Sequence, residues 1–186
     1  MPDPIAVTTP ADWNLWLAAH PGEREVWVLF HKKATGIASM TWEQAVIEAL
    51  AHGWIDGIKK SVNETQWIQR FTPRKPGSAW SQRNVAHAEK LIAEGRMTPA
   101  GLAHVTLARQ NGRWDSAYVG GSAGEMPPEF LAALAANPAA AAGYAALDAR
   151  NRFAIYYRIT SVKRADTKAR KIADYVAMLA RGERLV

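Results

Sequence analysis

The sequence contains no cysteine, which excludes disulfide bonds, thiolate metal sites and cysteine nucleophiles for this chain. It also contains no apolar run approaching the ~20 residues that a membrane-spanning helix needs. The N-terminal residues 1–7 lack the basic segment and the apolar stretch of a signal peptide. We therefore expect a soluble, cytoplasmic protein without membrane insertion, whose stability comes from side-chain packing.

The sequence motifs of common catalytic and cofactor sites are absent as well. There is no His-x-x-x-His pair, phosphate-binding glycine loop, dinucleotide fingerprint or nucleophile elbow. His20, His31, His87 and His104 are each isolated, and an isolated histidine is weak evidence of a site. We expect no metal and no cofactor.

The composition is that of a folded globular chain. Of the 186 residues, 48% are hydrophobic and 22% are charged, which is ordinary for a protein with one sizeable core. We predict one domain over residues 1–186. The glycine-rich segment 120–124 would further divide it into an α+β part, 1–118, and a helical part, 125–186.

Local patterns predict a small sheet in the first part of the chain. Short runs rich in β-branched and aromatic residues indicate strands at 26–31, 54–60 and 65–72, of which the last two form a hairpin around Asn63. A capping box opens a helix at 41–52, which packs with this sheet.

Helical patterns dominate the rest of the sequence. The fold class is therefore α+β, with a small β-sheet packed with helices in the N-terminal part and a mainly helical C-terminal part. The further predicted helices are 9–19, 81–94, 98–110, two alanine-rich helices opened by Pro127-Pro128 and Asn137-Pro138, and 166–181.

Basic residues are concentrated in two windows. Residues 59–83 hold six basic residues and one acid, and residues 150–171 hold eight basic residues and one acid. This asymmetry is typical of an anionic partner if the windows share a face, and of two separate solvated surfaces otherwise. Nucleic-acid binding through the two windows is one alternative, although no helix-turn-helix, RNP or zinc-finger signature accompanies them.

Tryptophan, arginine, hydroxyl and proline residues are densest in three neighbouring motifs, GWIDG (53–57), RFTPRKPGS (70–78) and WSQRN (80–84). Together they resemble the YdeI/OmpD-associated family, also labelled bacteriocin-protection proteins. Similar segments are GRMTPAG (95–101), GRWDSAY (112–118) and KRADTKARKI (163–172), so that the resemblance covers most of the chain. It implies a link to tolerance of antimicrobial peptides or antibiotics and brings no defined reaction.

These motifs also predict a binding site for an anionic or aromatic small molecule or peptide. Arginines present planar forks to anions, serine hydroxyls donate hydrogen bonds, and tryptophans stack on rings. In the alternative interpretation the tryptophans are core, Asp56 pairs with Arg70 or Arg74 across the hairpin, and a serine only caps a helix. The predicted ligand-binding residues are Trp54, Arg70, Arg74, Lys75, Ser78, Trp80, Ser81, Asn84, Lys163 and Arg164.

A catalytic interpretation is a second alternative, and the sequence leaves open whether the protein is an enzyme. A cofactor-free hydrolase would use Asp56 or His52 as its base. Glu48 lies one helical turn before His52 and would orient it, and Ser78 or Ser81 would complete the set. The binding protein is the preferred hypothesis.

Overall fold

Side-chain caps open most of the predicted helices. Thr41 Oγ1 accepts a hydrogen bond from the Gln44 amide, and the Gln44 side-chain oxygen accepts one from the Thr41 amide, which is the predicted capping box. In the described residues, 3–120 and 125–185 of the computed structural model, there are eight α-helices. They are α1 (Pro10–Ala19), α2 (Trp42–Ala51), α3 (Gln82–Ala93), α4 (Pro99–Gln110), α5 (Pro128–Ala135), α6 (Pro138–Ala145), α7 (Ala149–Thr160) and α8 (Ala165–Ala180).

Helix α7 is the one helix that the sequence patterns do not predict. Asp148 caps it by accepting a hydrogen bond from the Asn151 amide at 2.8 Å. Its apolar stripe of Ile155, Tyr156 and Ile159 is buried. The stripe is interrupted by the arginines of the second basic window, which explains why the segment looks like a charged surface in the sequence.

Three antiparallel strands form the predicted sheet, β1 (Val26–His31), β2 (Trp54–Ser61) and β3 (Gln66–Pro73), in the order β1-β3-β2. The turn of the predicted hairpin is built by Asn63, whose side-chain oxygen accepts from the amides of Thr65 and Gln66 at 2.8 Å each. The predicted α+β fold class is confirmed.

Strand β2 contains a β-bulge. Its register to β3 shifts between Asp56 and Lys59. The Gln69 side chain, only 2% exposed, donates to the Gly57 carbonyl at 2.9 Å and to the Arg70 carbonyl at 3.3 Å. A bulge disrupts the pairing of backbone groups and re-aims side chains, and the Gln69 amide here donates to a carbonyl within the bulge.

The helices α2 and α4 approach closely. The Ala51 carbonyl at the end of α2 accepts from the Thr98 amide at 3.0 Å and from Thr98 Oγ1 at 2.8 Å. Gly101 lies so near that a side chain there would overlap the same carbonyl. Gly53, which follows α2, has a φ of +77° that favours glycine.

The described chain divides into two units, Met1–Ala117 (unit 1) and Tyr118–Val186 (unit 2), each with its own hydrophobic core. Trp13, Phe30 and Phe71 are the largest fully buried side chains of the first core. Phe130, Ile155, Ile159 and Leu179 are fully buried in the second. The predicted organisation as one domain remains a prediction.

Of the predicted linker 120–124, residues 121–124 lie outside the described residues. Within the parts of the chain that the structure describes, no helix is long and apolar enough to cross a membrane.

Candidate ligand-binding site

Arg74 anchors the proline-bounded loop between β3 and α3. Its side chain is only 4% exposed, its guanidinium donates to the Ala79 carbonyl at 2.7 Å, and the guanidinium carbon lies 3.8 Å from the centre of the Trp80 ring. The Arg74 amide donates to the Gly53 carbonyl at 2.9 Å. Because a stacked guanidinium keeps its in-plane donors available, the Arg74 side chain stacks on Trp80 and donates to Ala79 at the same time. It therefore joins the start of the loop to its end.

Contacts between planar side chains tie this loop to a distant segment. Trp80 contacts Trp114 with ring centroids 4.9 Å apart, and the Arg109 guanidinium lies 4.9 Å from the Trp114 ring. We call Arg74, Trp80, Trp114 and Arg109 the anchor stack. It brings the neighbouring RFTPRKPGS and WSQRN motifs together with the GRWDSAY motif, which lies further along the sequence.

The anchor stack holds an exposed turn. The Lys75 amide donates to Ser78 Oγ at 3.0 Å, and the Ser78 amide donates to the Lys75 carbonyl at 2.9 Å. A Cβ atom added to Gly77 would lie 3.8 Å from a terminal nitrogen of Arg113. We call Lys75, Pro76, Gly77, Ser78 and Arg113 the loop tip.

The two cations of the loop tip are exposed and have no acidic partner. Neither Lys75 nor Arg113 takes part in an ion pair within residues 3–120 and 125–185. Two unpaired cations beside a rigid turn attract an anion without first having to release an internal carboxylate.

Four other predicted ligand-binding residues of unit 1 make internal contacts. Ser81 caps α3 by accepting from the Asn84 amide at 3.2 Å, and the Asn84 side chain is half-buried. Trp54 is 3% exposed and belongs to the core. Arg70 forms an ion pair of 2.5 Å with Glu25 and does not pair with Asp56.

Lys163 and Arg164 lie in unit 2, just before α8. Lys163 is exposed, and Arg164 forms a bidentate pair with Asp166, at 2.8 and 3.2 Å. Their participation in a common site with the loop remains a prediction.

Asp56, a predicted catalytic residue, lies half-buried at the bulge of β2. Its carboxylate accepts a hydrogen bond from the Trp42 indole at 3.2 Å. Burial raises the pKa of Asp56, and the Trp42 hydrogen bond and the charges of Arg74 and Arg83 only partly oppose this shift. A carboxyl group of this kind is able to hold a proton at a higher pH than a solvated one.

The neighbours of Asp56 form a polar cluster that sequence reasoning did not find. Arg83 lies 5.1 Å from the Trp42 ring and donates to Glu43 at 2.6 Å. His87 lies 3.4 Å from the same Glu43 oxygen, without the geometry of a hydrogen bond. Burial lowers the pKa of His87, and Glu43 opposes this shift. The capping box predicts that Trp42 and Glu43 lie at the start of a helix, but no sequence pattern indicates that α3 lies beside them.

His52, the other predicted catalytic residue, is the C-cap that follows α2 and is half-buried. Burial lowers the pKa of His52, although the charge of Glu48 opposes this shift. Glu48 is 6% exposed and is bonded to Asn14 at 2.7 Å and to Arg96, not to His52. His52 Nε2 is buried without a hydrogen-bond partner. No hydrogen bond in the described structure joins His52 to Asp56 or to either serine of the proposed catalytic set.

Metal-binding clusters of three or more His, Asp or Glu residues are absent from the described parts of the chain.

Unit 1 is an α+β structure that presents a rigid cationic loop. Residues 5–104 match the model of a domain of unknown function, DUF8412, over more than half of the chain. The protein therefore belongs to the DUF8412 family.

Residues 123–182 match a second family model, described as bacteriocin-protection, YdeI or OmpD-associated. This match confirms the resemblance noted in the sequence, but only in the C-terminal part of the chain. The GWIDG, RFTPRKPGS and WSQRN motifs lie within the DUF8412 match instead, and residues 112–118 lie outside both matches. No curated protein and no solved structure showed a significant match.

Proposed function

We propose that unit 1 binds an anionic small molecule, or an anionic group of a peptide, at the loop tip. The observation that carries this proposal is the pair of exposed, unpaired cations, Lys75 and Arg113, which the anchor stack holds beside Gly77. A preorganised site loses little conformational entropy when its ligand binds.

The anchor stack supports one of the two ligand classes expected from the sequence over the other. Arg74 lies over the Trp80 ring, Trp114 packs against that ring, and Trp80 is almost completely buried. An aromatic ligand would have to displace one of these groups before it could stack on Trp80. An anion needs no such displacement, which favours the anionic class and gives Arg74 and Trp80 a supporting role.

The biological role that we propose is sequestration linked to bacteriocin protection. The support for this link is the description of the second family model, which matches residues 123–182. Sequestration requires stoichiometric binding without a product. A hydrolase using Asp56 or His52 would give turnover that is lost in Asp56→Asn or His52→Gln, and nucleic-acid binding would weaken steeply with salt.

The test is a thermal-shift and calorimetric screen with inorganic phosphate, nucleotides, sugar phosphates, aromatic carboxylates, bacteriocin peptides and short DNA at two salt concentrations. At a ligand concentration of 100 times Kd, binding to the native state adds about 2.7 kcal/mol to the free energy of unfolding. We expect one anion class to stabilise the wild type and the double variant Lys75→Ala/Arg113→Ala to lose that shift.

The matched control is Arg24→Ala/Lys33→Ala, which removes the same charge from two exposed residues outside the loop. It should keep the shift. A shift that persists in the loop variant, or the absence of stabilisation by any anion, would overturn the proposal.

A further inference from the structure

Within residues 3–120 and 125–185, no strand pairs with the outer edge of β2. Strand β2 is the outer strand in the order β1-β3-β2, and residues 57–61 are all exposed. The Val62 amide donates to the Gln66 carbonyl at 3.1 Å, towards β3. Because amides alternate in direction along an antiparallel strand, those of Lys59 and Ser61 point outward. An unpaired edge of this kind is a template for an additional strand.

The side chains at this edge carry two cations. Lys59 Nζ lies 4.1 Å from the Trp67 ring, and Lys60 Nζ lies 4.8 Å from the Trp27 ring. Consecutive residues of a strand project to opposite faces, so each face of the sheet has one lysine at its edge. Neither lysine forms an ion pair in the described residues.

The bulge does not disturb the edge next to these lysines. Beyond it, Lys59, Lys60 and Ser61 pair in regular register with Gln69, Ile68 and Trp67 of β3. The edge is therefore regular over the residues whose amides point outward.

The charges decide which partner fits. A second copy of the chain pairing through β2 would place lysines against lysines, and lysines on an edge strand disfavour such pairing. An acidic strand has the opposite effect, since two consecutive acidic residues would direct one carboxylate to each face of the sheet and so towards each lysine.

We propose that the outer edge of β2 binds an extended acidic peptide segment as a fourth strand. Main-chain hydrogen bonds to the outward amides hold the segment, and two consecutive acidic residues face Lys59 and Lys60. Ile58, which is 55% exposed beside them, contributes an apolar contact. This surface shares no residue with the loop tip, and the inference does not depend on the proposed function.

The probe is a fluorescent capped peptide, Val-Thr-Glu-Glu-Val-Thr, titrated against the full chain and followed by anisotropy. The same peptide with lysines in place of the glutamates tests the charge requirement. A peptide Val-Pro-Glu-Glu-Pro-Thr keeps the charge but removes two amides, and so tests the main-chain hydrogen bonds.

We expect the glutamate peptide alone to bind, and Lys59→Ala/Lys60→Ala to weaken its binding at least tenfold. The variant Arg24→Ala/Lys33→Ala carries the same charge change at two exposed residues outside β2 and the loop tip and should bind normally, and circular dichroism should show both variants folded. Equal binding of the proline peptide would overturn the proposal, because it would mean attraction by charge alone. Loss of binding in Lys75→Ala/Arg113→Ala but not in Lys59→Ala/Lys60→Ala would also overturn it, because the peptide would then bind at the loop tip. Stronger binding of a single-stranded oligonucleotide than of the peptide at physiological salt would overturn it as well.

Discussion

The substitution Gly101→Ala tests the close approach of α2 and α4. A methyl group on Gly101 would overlap the Ala51 carbonyl oxygen and lie 2.7 Å from Met97 Sδ. The flexible methionine side chain can move. The carbonyl is held by two hydrogen bonds from Thr98, at 3.0 and 2.8 Å, and cannot move without lengthening them.

The expected cost of Gly101→Ala follows from these contacts. Overpacking in a tight interface costs about 1–3 kcal/mol, and each weakened hydrogen bond contributes about 1 kcal/mol. The higher helix propensity of alanine returns up to about 1 kcal/mol. The net loss is about 3 kcal/mol, which lowers Tm by about 6–12 °C in a chain of this size.

Urea unfolding followed by tryptophan fluorescence measures this loss. The control is Ala103→Gly, on an exposed position of the same helix, which should cost about 1 kcal/mol through propensity alone. A Gly101→Ala variant as stable as the wild type, or more stable, would show that α2 and α4 do not approach as described.

Two further substitutions test the bulged strand. Because burial raises the pKa of Asp56, the folded state loses stability as pH rises from the unfolded-state pKa of about 3.9 through the folded-state pKa. Asp56→Asn removes this loss, so its advantage over the wild type in urea unfolding should grow as the pH rises above the unfolded-state pKa and through the raised folded-state pKa of Asp56. A difference that stays constant with pH would contradict the assignment. Gln69→Leu leaves the Gly57 carbonyl without its donor and should cost about 1–3 kcal/mol, and no loss in thermal unfolding would mean that Gln69 does not support the bulge.

The elements with local signals could be predicted from the sequence. The helix at 41–52 follows from its capping box, and the hairpin follows from two β-rich runs around Asn63, because the determining residues are neighbours in the chain. Helix α7 has a cap and a buried stripe, but the arginines between its apolar residues hide the period. Local patterns are sufficient where one kind of residue dominates each face of an element.

The candidate site could be predicted only in part. The prolines and arginines of residues 72–84 indicate a rigid cationic loop, and Lys75 and Ser78 lie at its tip. Arg113 lies in the GRWDSAY segment, in which the sequence predicts no site residue. It reaches the loop through the contact between Trp80 and Trp114, which depends on tertiary packing. The ion pair of Arg70 with Glu25 is likewise a contact between distant residues.

The anchor stack and the loop tip are made by different residues, and this separation has a practical consequence. Arg74 and Trp80 fix the loop from the protein interior, whereas Lys75, Pro76 and Gly77 are exposed and contribute nothing to the core. Recognition loops on a rigid framework accept changes of sequence and length at such positions. The segment between Arg74 and Ala79 is therefore a suitable acceptor for grafted recognition sequences, by which binding specificity can be exchanged while the framework stays intact.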